Sequence, residues 1–193
     1  MISLQSDDAL LIADIQNDFL AGGALDIGGG DEVIPILLRY LRRFHTQGLP
    51  IFLTRDWHPP DHCSFREQGG LWPVHCVAGS PGSLPPPGFE TPASAVIIYK
   101  AIDRDQEAYS AFQNTTLDRH LRAIGVRRLF IGGLATDYCV LNTVKDARTS
   151  GYEVCLLMDG IKAVNLQPAD GRQAEQEMIR LGAVPVRLEM LAT

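Results

Sequence analysis

The sequence predicts an α/β protein with a three-layer, Rossmann-like fold, in which a mostly parallel sheet of about six strands is flanked by helices. Short apolar runs of strand length alternate with helix-like segments along the whole chain. The runs are continuously apolar, as is typical of parallel strands buried on both faces, and such alternation places helices on both sides of the sheet. With 193 residues and 46% hydrophobic content, we interpret residues 1–193 as a single domain.

The elements follow one another in a regular order. The expected strands are 9–13, 50–54, 95–99, 128–131, 153–158 and 184–188, and the expected helices are 31–46, 117–124, one starting near residue 139, and 169–181. Pro185 places the last strand at a sheet edge, because proline cannot donate to a strand on both sides. Gly132 and Gly133 predict a tight turn after the fourth strand, with Thr136 or Asp137 capping the next helix.

Composition narrows the class of partner. The chain has 17 Lys+Arg against 23 Asp+Glu and no long basic run, which disfavours nucleic acid as a partner. Neither a secretion signal nor a membrane-length apolar run is evident, and the four cysteines are widely and irregularly spaced. We therefore expect a cytoplasmic protein with reduced thiols that acts on a small molecule and does not bind membranes. A homo-oligomer stays open, because the sequence does not indicate the oligomeric state.

Chemically capable residues follow the first four predicted strands. Asp14 follows the first strand, Asp56 and His58 the second, Lys100 the third and Cys139 the fourth. Each one alone is as easily a turn, loop or core residue. In a parallel sheet, however, the carboxyl ends of neighbouring strands meet at one edge, where ligands bind. We therefore expect these side chains to share one site.

The chemistry of three of these residues fits a covalent hydrolase. Cys139 would be the nucleophile, Asp14 the group that takes and returns its proton, and Lys100 the cation that stabilises the thiolate. The start of a helix also favours thiolate through the helix dipole. The backbone N–H groups of Ala135 and Cys139 are placed to form an oxyanion hole. The alternative is that Cys139 is a small buried hydrophobic residue, as most free cysteines are.

A second cluster suggests a metal site. Asp56 and His58 lie two apart in an extended segment and project to the same side, and His75 is our choice for the third ligand. One carboxylate and two imidazoles suit a divalent cation, with zinc as the first expectation and iron or manganese as alternatives. His62 or Glu67 would complete the coordination shell or support it. Cys63 and Cys76 are alternative ligands that we rank below the histidines.

The chain resembles the nicotinamidase/pyrazinamidase group of the isochorismatase-like cysteine hydrolases. The resemblance rests on residues 14–19, 22–25, 55–59, 72–76, 100, 109–112 and 133–140, in that order, and spans nearly the whole chain. It implies hydrolysis of nicotinamide to nicotinate and ammonia through a cysteine thioester, beside a divalent metal that positions the pyridine ring. An amidohydrolase of this kind acts in NAD salvage and also takes pyrazinamide in some members.

Carried over by position, the resemblance gives each site residue a role. It implies a triad of Asp14, Lys100 and Cys139, metal ligands at Asp56, His58 and His75, and an oxyanion hole at the Ala135 and Cys139 amides. It also implies a cis peptide bond between Leu134 and Ala135. Four aromatic residues would contact the substrate, although core packing is the alternative for each: Phe19, Trp72, Tyr109 and Tyr138.

Two segments depart from the family pattern. The proline-rich loop 79–89 is individual to this chain, and its role is not predicted. Residues 101–108 lack the glycine and the Asp-Ser pair that usually precede Tyr-Ser-Ala-Phe, so the contacts of that loop are not predicted.

Two rival functions remain. One rival is a related cysteine hydrolase of another small amide, ureido or carbamoyl compound, which would keep the triad without needing the metal cluster. The other is a non-catalytic ligand-binding module of the same fold.

Overall fold

The computed structural model describes residues 1–192, which form one six-stranded sheet with every strand pairing parallel. The strands are β1 (Asp8–Ala13), β2 (Ile51–Asp56), β3 (Val96–Lys100), β4 (Arg128–Leu134), β5 (Glu153–Lys162) and β6 (Val184–Val186). The helices are α1 (Ile34–Thr46), α2 (Leu117–Ala123), α3 (Leu141–Thr149) and α4 (Asp170–Arg180). The predicted fold class is confirmed. Within residues 1–192, no helix is long and apolar enough to cross a membrane.

Two apolar layers cover the faces of the sheet. Successive residues of a strand point to opposite faces, so Leu10 packs in one core cluster and Leu11 in the other. The first cluster contains the buried face of α1, including Phe44. The second contains buried residues of α2, α3 and α4, among them Leu121, Val144 and Met178. The middle parts of the strands are therefore apolar, because both of their faces are covered.

The strand order β3-β2-β1-β4-β5-β6 determines where a ligand can bind. From β1 the chain first adds strands on one side and then returns to add β4, β5 and β6 on the other side. The connections after β1 and β4 consequently diverge and leave a crevice at the carboxyl ends of these two strands. Strand β6, which contains Pro185, lies at the far edge, as predicted.

Strand β4 does not end where the glycines predicted a turn. It runs through Gly132 and Gly133 to Leu134, and the next helix begins with a π-helical turn at Thr136–Val140. Gly133 has a φ of 115° and lies against the backbone of Ala13 in β1. The glycines therefore allow a close approach of two strands, a use that cannot be distinguished from a turn by sequence alone.

We expect Gly133→Ala to destabilise the protein strongly. A Cβ atom there would lie 2.1 Å from the Ala13 carbonyl oxygen, and the backbone angle is one that residues with side chains rarely adopt. The free energy of unfolding should fall by about 3 kcal/mol or more. Urea unfolding measures this change, with Gly28→Ala as the control because a Cβ at Gly28 meets no atom within 4 Å. Equal stability of the two variants would contradict the prediction.

Candidate active site

The ammonium group of Lys100 brings together residues from the ends of four strands. Lys100 is the last residue of β3, and its Nζ lies 3.0 Å from Asp14 Oδ2 and 3.4 Å from Cys139 Sγ. It also donates a hydrogen bond to Asp56 Oδ1, at the end of β2, and one of 3.3 Å to the Ala108 carbonyl. The side chains of Lys100 and Asp14 are fully buried. The structure thus brings Asp14, Asp56, Lys100 and Cys139 together at one edge of the sheet, as the sequence predicted.

Asp14 is held in a fixed orientation and protonates easily. The Thr54 hydroxyl donates a 2.6 Å hydrogen bond to Asp14 Oδ1, so Oδ2 is directed to Lys100. Burial raises the pKa of the Asp14 carboxyl to about 6, against the opposing effect of the Lys100 charge. A carboxyl with this pKa is able to accept and return a proton near neutral pH.

Lys100 and Asp56 remain charged despite their burial. Burial alone would lower the pKa of Lys100, but the carboxylates of Asp14 and Asp56 outweigh it and raise that pKa well above its usual value. Burial likewise opposes ionisation of Asp56, but Lys100 and the nearby imidazoles hold the pKa of Asp56 below its ordinary value. The site thus contains a permanent ammonium group between two acidic groups.

Burial disfavours the thiolate form of Cys139, whereas the sequence predicted that the helix start favours it. Burial raises the pKa of Cys139 well above its usual value, and the neighbouring Lys100 only partly compensates. Thiolate formation therefore requires a base, which Asp14 is placed to provide.

The predicted side-chain cap of the following helix is wrong. Neither Thr136 nor Asp137 caps the turn, and the Asp137 carboxylate instead accepts hydrogen bonds from the N–H groups of Val164 and Asn165.

The turn that carries Cys139 is held by its own backbone hydrogen bonds. The peptide bond between Leu134 and Ala135 is cis, as the resemblance implied. The Ala135 carbonyl accepts hydrogen bonds from the Tyr138 and Val140 N–H groups, which orders the turn. Ala135 lines the same cavity as the Cys139 thiol. The oxyanion hole expected at the Ala135 and Cys139 amides stays a prediction.

Asp56, His58 and His75 form a compact group with the properties of a metal site. One ligand atom of each residue lies within 4.8 Å of the others, and all three residues are buried. The His75 Nδ1 donates a 2.8 Å hydrogen bond to the Pro73 carbonyl, which leaves Nε2 as the free lone pair. Both ring nitrogens of His58 are buried without a hydrogen-bond partner in residues 1–192. Such buried polar atoms need a partner, and a divalent cation is one.

The imidazole of His58 has the protonation state that a metal ligand requires. Burial lowers its pKa to about 4, against the opposing effect of the Asp56 carboxylate, and the nearby Lys100 adds to the lowering. His58 is therefore neutral at physiological pH and keeps a lone pair for coordination. Its Nε2 lies 3.8 Å from Asp56 Oδ2, the carboxylate oxygen that Lys100 does not bind.

The additional ligands considered from the sequence do not join this group. His62 stacks on His58 with the ring centroids 4.3 Å apart, but its Nδ1 lies 2.7 Å from Ser64 Oγ and its Nε2 3.1 Å from the Gln106 carbonyl. Both of its nitrogens are thus used, and it supports the site by packing. Glu67 is exposed, and neither Cys63 nor Cys76 belongs to the compact group.

A narrow cavity connects the Cys139 thiol with Asp56, His58 and His75, the candidate metal group. The Trp72 Nε1–H donates a 3.0 Å hydrogen bond to the Tyr109 hydroxyl, and Trp72 packs edge-on against Tyr138 at 4.8 Å. Phe19 lies against His75 with the ring centroids 5.6 Å apart. All four predicted aromatic residues line the cavity wall. Three apolar residues complete the wall beside them, Leu25, Ile27 and Val164. Outside the site residues, Ser64 and Glu107 are the polar residues of the lining. The cavity suits a flat, mostly apolar ring.

Sequence reasoning missed two buried residues that fix the acidic groups. Thr54 binds Asp14, as described, and Gln16 binds both backbone groups of Asp56 through hydrogen bonds of 2.8 and 2.9 Å. Thr54 lies two residues before Asp56 in β2, where this spacing places side chains on the same side of the strand and is a usable signal. Gln16 lies two residues after Asp14, but the positive φ of Asp14 interrupts the extended backbone there, so the same rule does not identify Gln16.

Comparison with known proteins gives consistent matches over nearly the whole chain. Residues 8–189 match the family model described as the isochorismatase domain. The nicotinamidase of Escherichia coli (strain K12) is 38% identical over 196 residues, covering 91% of this chain and 92% of that protein.

Two solved structures are also similar to this chain. The pyrazinamidase of Pyrococcus horikoshii in complex with zinc is 46% identical, with a TM-score of 0.90 and coverage of 94% of this chain and 99% of that one. PnC1 from L. infantum in complex with nicotinate is 36% identical, with a TM-score of 0.89 and coverage of 99% and 98%.

We expect Lys100→Met to cost about 3–5 kcal/mol in the free energy of unfolding, because it leaves the buried carboxyl groups of Asp14 and Asp56 without a cation. Urea unfolding in the presence of a chelator measures this loss without a contribution from metal. The matched control is Lys162→Met, which breaks an ion pair with Glu32, whose side chain is 72% exposed. That change should cost less than about 1 kcal/mol. A similar small loss at Lys100 would show that the buried cluster does not need its ammonium group.

Proposed function

The chain belongs to the isochorismatase family, and we propose that it hydrolyses nicotinamide to nicotinate and ammonia. The observation that carries the proposal is one cavity with two functional ends. At one end Cys139 contacts Lys100, which also contacts Asp14, and at the other Asp56, His58 and His75 form the metal group. The nicotinamidases and the zinc-containing pyrazinamidase to which the chain is similar support the assignment as an amidohydrolase.

In the first half of the proposed reaction, Asp14 takes the proton of Cys139 as the sulfur attacks the amide carbon. Lys100 offsets the negative charge that moves from the carboxylate to the sulfur and then to the substrate. The Ala135 and Cys139 amides would donate to the developing oxyanion. Asp14 then gives its proton to the amide nitrogen, the C–N bond breaks, and ammonia leaves a thioester on Cys139.

In the second half, water replaces ammonia. Asp14 takes a proton from the water molecule as its oxygen attacks the thioester carbon, and the same two amides bind the second oxyanion. The C–S bond breaks, and the proton returns from Asp14 to Cys139. The product is nicotinic acid, which loses its remaining proton to solvent and becomes nicotinate, and the thiol is regenerated, so the protein ends the cycle in its starting state.

We propose that Asp56, His58 and His75 hold a divalent cation, with zinc first and iron or manganese as alternatives. Two imidazoles and one carboxylate with open positions are a donor set typical of zinc. When bound, the cation would attract the ring nitrogen of the substrate and so orient the ring. Phe19, Trp72, Tyr109 and Tyr138 would enclose the ring, because each lies on the wall of the same cavity.

The metal group favours nicotinamide over the rival functions. A related hydrolase of ureido or carbamoyl compounds needs the three triad residues but not a cluster of Asp56, His58 and His75. A non-catalytic binding module needs neither a buried thiol nor a base beside it. We also propose a cytoplasmic role in NAD salvage, with the four free cysteines in support of a reducing environment.

Replacement of Cys139 by Ala should lower kcat/KM for nicotinamide by about 10³-fold or more, because the covalent route is lost. Ammonia release by the purified protein measures this loss. Cys155→Ala is the control, since Cys155 is buried in the α1 core cluster outside the cavity, and it should retain activity within about twofold. Substantial turnover by the Cys139 variant would mean that another group attacks the amide.

The two stacked histidines should differ in their effect on metal content. His58→Ala removes a buried ligand, so the metal content should fall from one ion per chain to well below one. His62→Gln is the matched control, because both nitrogens of His62 already have protein partners, and it should keep the ion. Mass spectrometry of metals after gentle purification gives the stoichiometry. Full metal content in the His58 variant would remove it from the ligand set.

A further inference from the structure

Glu107 is an acidic cavity residue to which neither the proposed mechanism nor the metal group assigns a role. Two carboxylates line the cavity, and Asp56 is bound by Lys100. Glu107 has no ion-pair partner within residues 1–192, and it is only partly exposed. It also lies in residues 101–108, which depart from the family pattern. A carboxylate without an ion-pair partner, on a wall that is aromatic and apolar outside the site residues and Ser64, calls for an explanation.

The position of Glu107 is fixed by its contacts. Its Oε1 accepts a 3.0 Å hydrogen bond from the Ala108 N–H, and the Ala108 carbonyl in turn accepts from Lys100. Glu107 and Cys139 share the cavity with Tyr109. Burial raises the pKa of the Tyr109 hydroxyl, against the effect of its hydrogen bond from Trp72, and the neighbouring Glu107 carboxylate adds to the rise. The carboxylate of Glu107 therefore acts on the Tyr109 hydroxyl, which shares the cavity with Cys139.

We propose that Glu107 is a specificity-determining residue that discriminates against anionic ligands, favouring the neutral amide substrate over the carboxylate product. This inference rests on the proposed function. Substrate and product have the same ring and differ at one group, which is uncharged in nicotinamide and negative in nicotinate. Shape can hardly separate two such ligands, but charge can, because a partly buried carboxylate on a narrow cavity wall is screened less than one in open water. The repulsion would hasten release of the product.

A competing explanation is that Glu107 only orders the loop. Its hydrogen bond to Ala108 helps to place the carbonyl that accepts from Lys100, and this contact needs an oxygen acceptor but no charge. Glu107→Gln separates the two explanations, since the amide oxygen can still accept the Ala108 N–H while the negative charge is removed. A purely structural role predicts no change in discrimination between the two ligands.

The test uses binding to the metal-loaded protein with Cys139→Ala, in which nicotinamide should bind without turnover. Calorimetric titration gives the Kd of nicotinate and of nicotinamide, with and without Glu107→Gln. We expect the ratio of nicotinate affinity to nicotinamide affinity to rise about three- to tenfold, as unit charges several ångströms apart predict. Asp105→Asn is the control, because Asp105 lies in the same loop, is exposed and does not line the cavity. It should leave the ratio unchanged.

The outcomes separate this inference from the proposed function. An unchanged ratio in the Glu107 variant, or a shift towards nicotinamide, would overturn the role of Glu107 and leave the hydrolase assignment standing. Failure of the metal-loaded protein to bind either ligand would instead overturn the proposed function. A second measurement uses Glu107→Gln in the protein that keeps Cys139. The inhibition constant of nicotinate should fall relative to the KM for nicotinamide in that variant.

Discussion

The structure depends on one buried ammonium group. Lys100 reaches from the end of β3, at the edge of the sheet, past β2 to β1 and to the turn after β4. A cation removed from water must have compensating partners, and the carboxylates of Asp14 and Asp56 provide them. The same contacts fix these carboxylates, which would repel each other without the cation. The order of four strands and the geometry of the site are therefore parts of one electrostatic arrangement.

Asp56 couples this arrangement to the metal group. One of its oxygens binds Lys100, and the other lies 3.8 Å from His58 Nε2. One lysine and two carboxylates carry a net negative charge when both acids are ionised, whereas His58 is neutral. A divalent cation would reverse that balance and favour Asp14 and the sulfur as anions. We therefore regard the two ends of the cavity as electrostatically linked, so that loss of metal would also affect the nucleophile.

The fold and the clustering of the site were predictable, because both follow from strongly repeated patterns. Continuous apolar runs located all six strands within a few residues, and the rule that ligands bind at the carboxyl ends of parallel strands grouped Asp14, Lys100 and Cys139. The extension of β4 through Gly133 and the raised pKa of Cys139 were not predictable. The extension of β4 depends on a contact with Ala13, and the pKa of Cys139 depends on burial. Both arise from tertiary structure, which a short stretch of sequence does not reveal.

The backbone shows why the remaining details escape sequence reasoning. Within residues 1–192, five residues other than glycine have positive φ, and two of these are asparagines, which tolerate it. The other three are Asp14, Cys76 and Ala101, and each is a site residue or directly follows one. Local preference disfavours these conformations, so the surrounding sheet and loops must impose them. The chain turns sharply just after β1 and β3 and thereby keeps the Asp14 and Lys100 side chains over the sheet edge. Local rules fail at the site because the rigid sheet, and not the residue itself, determines the conformation.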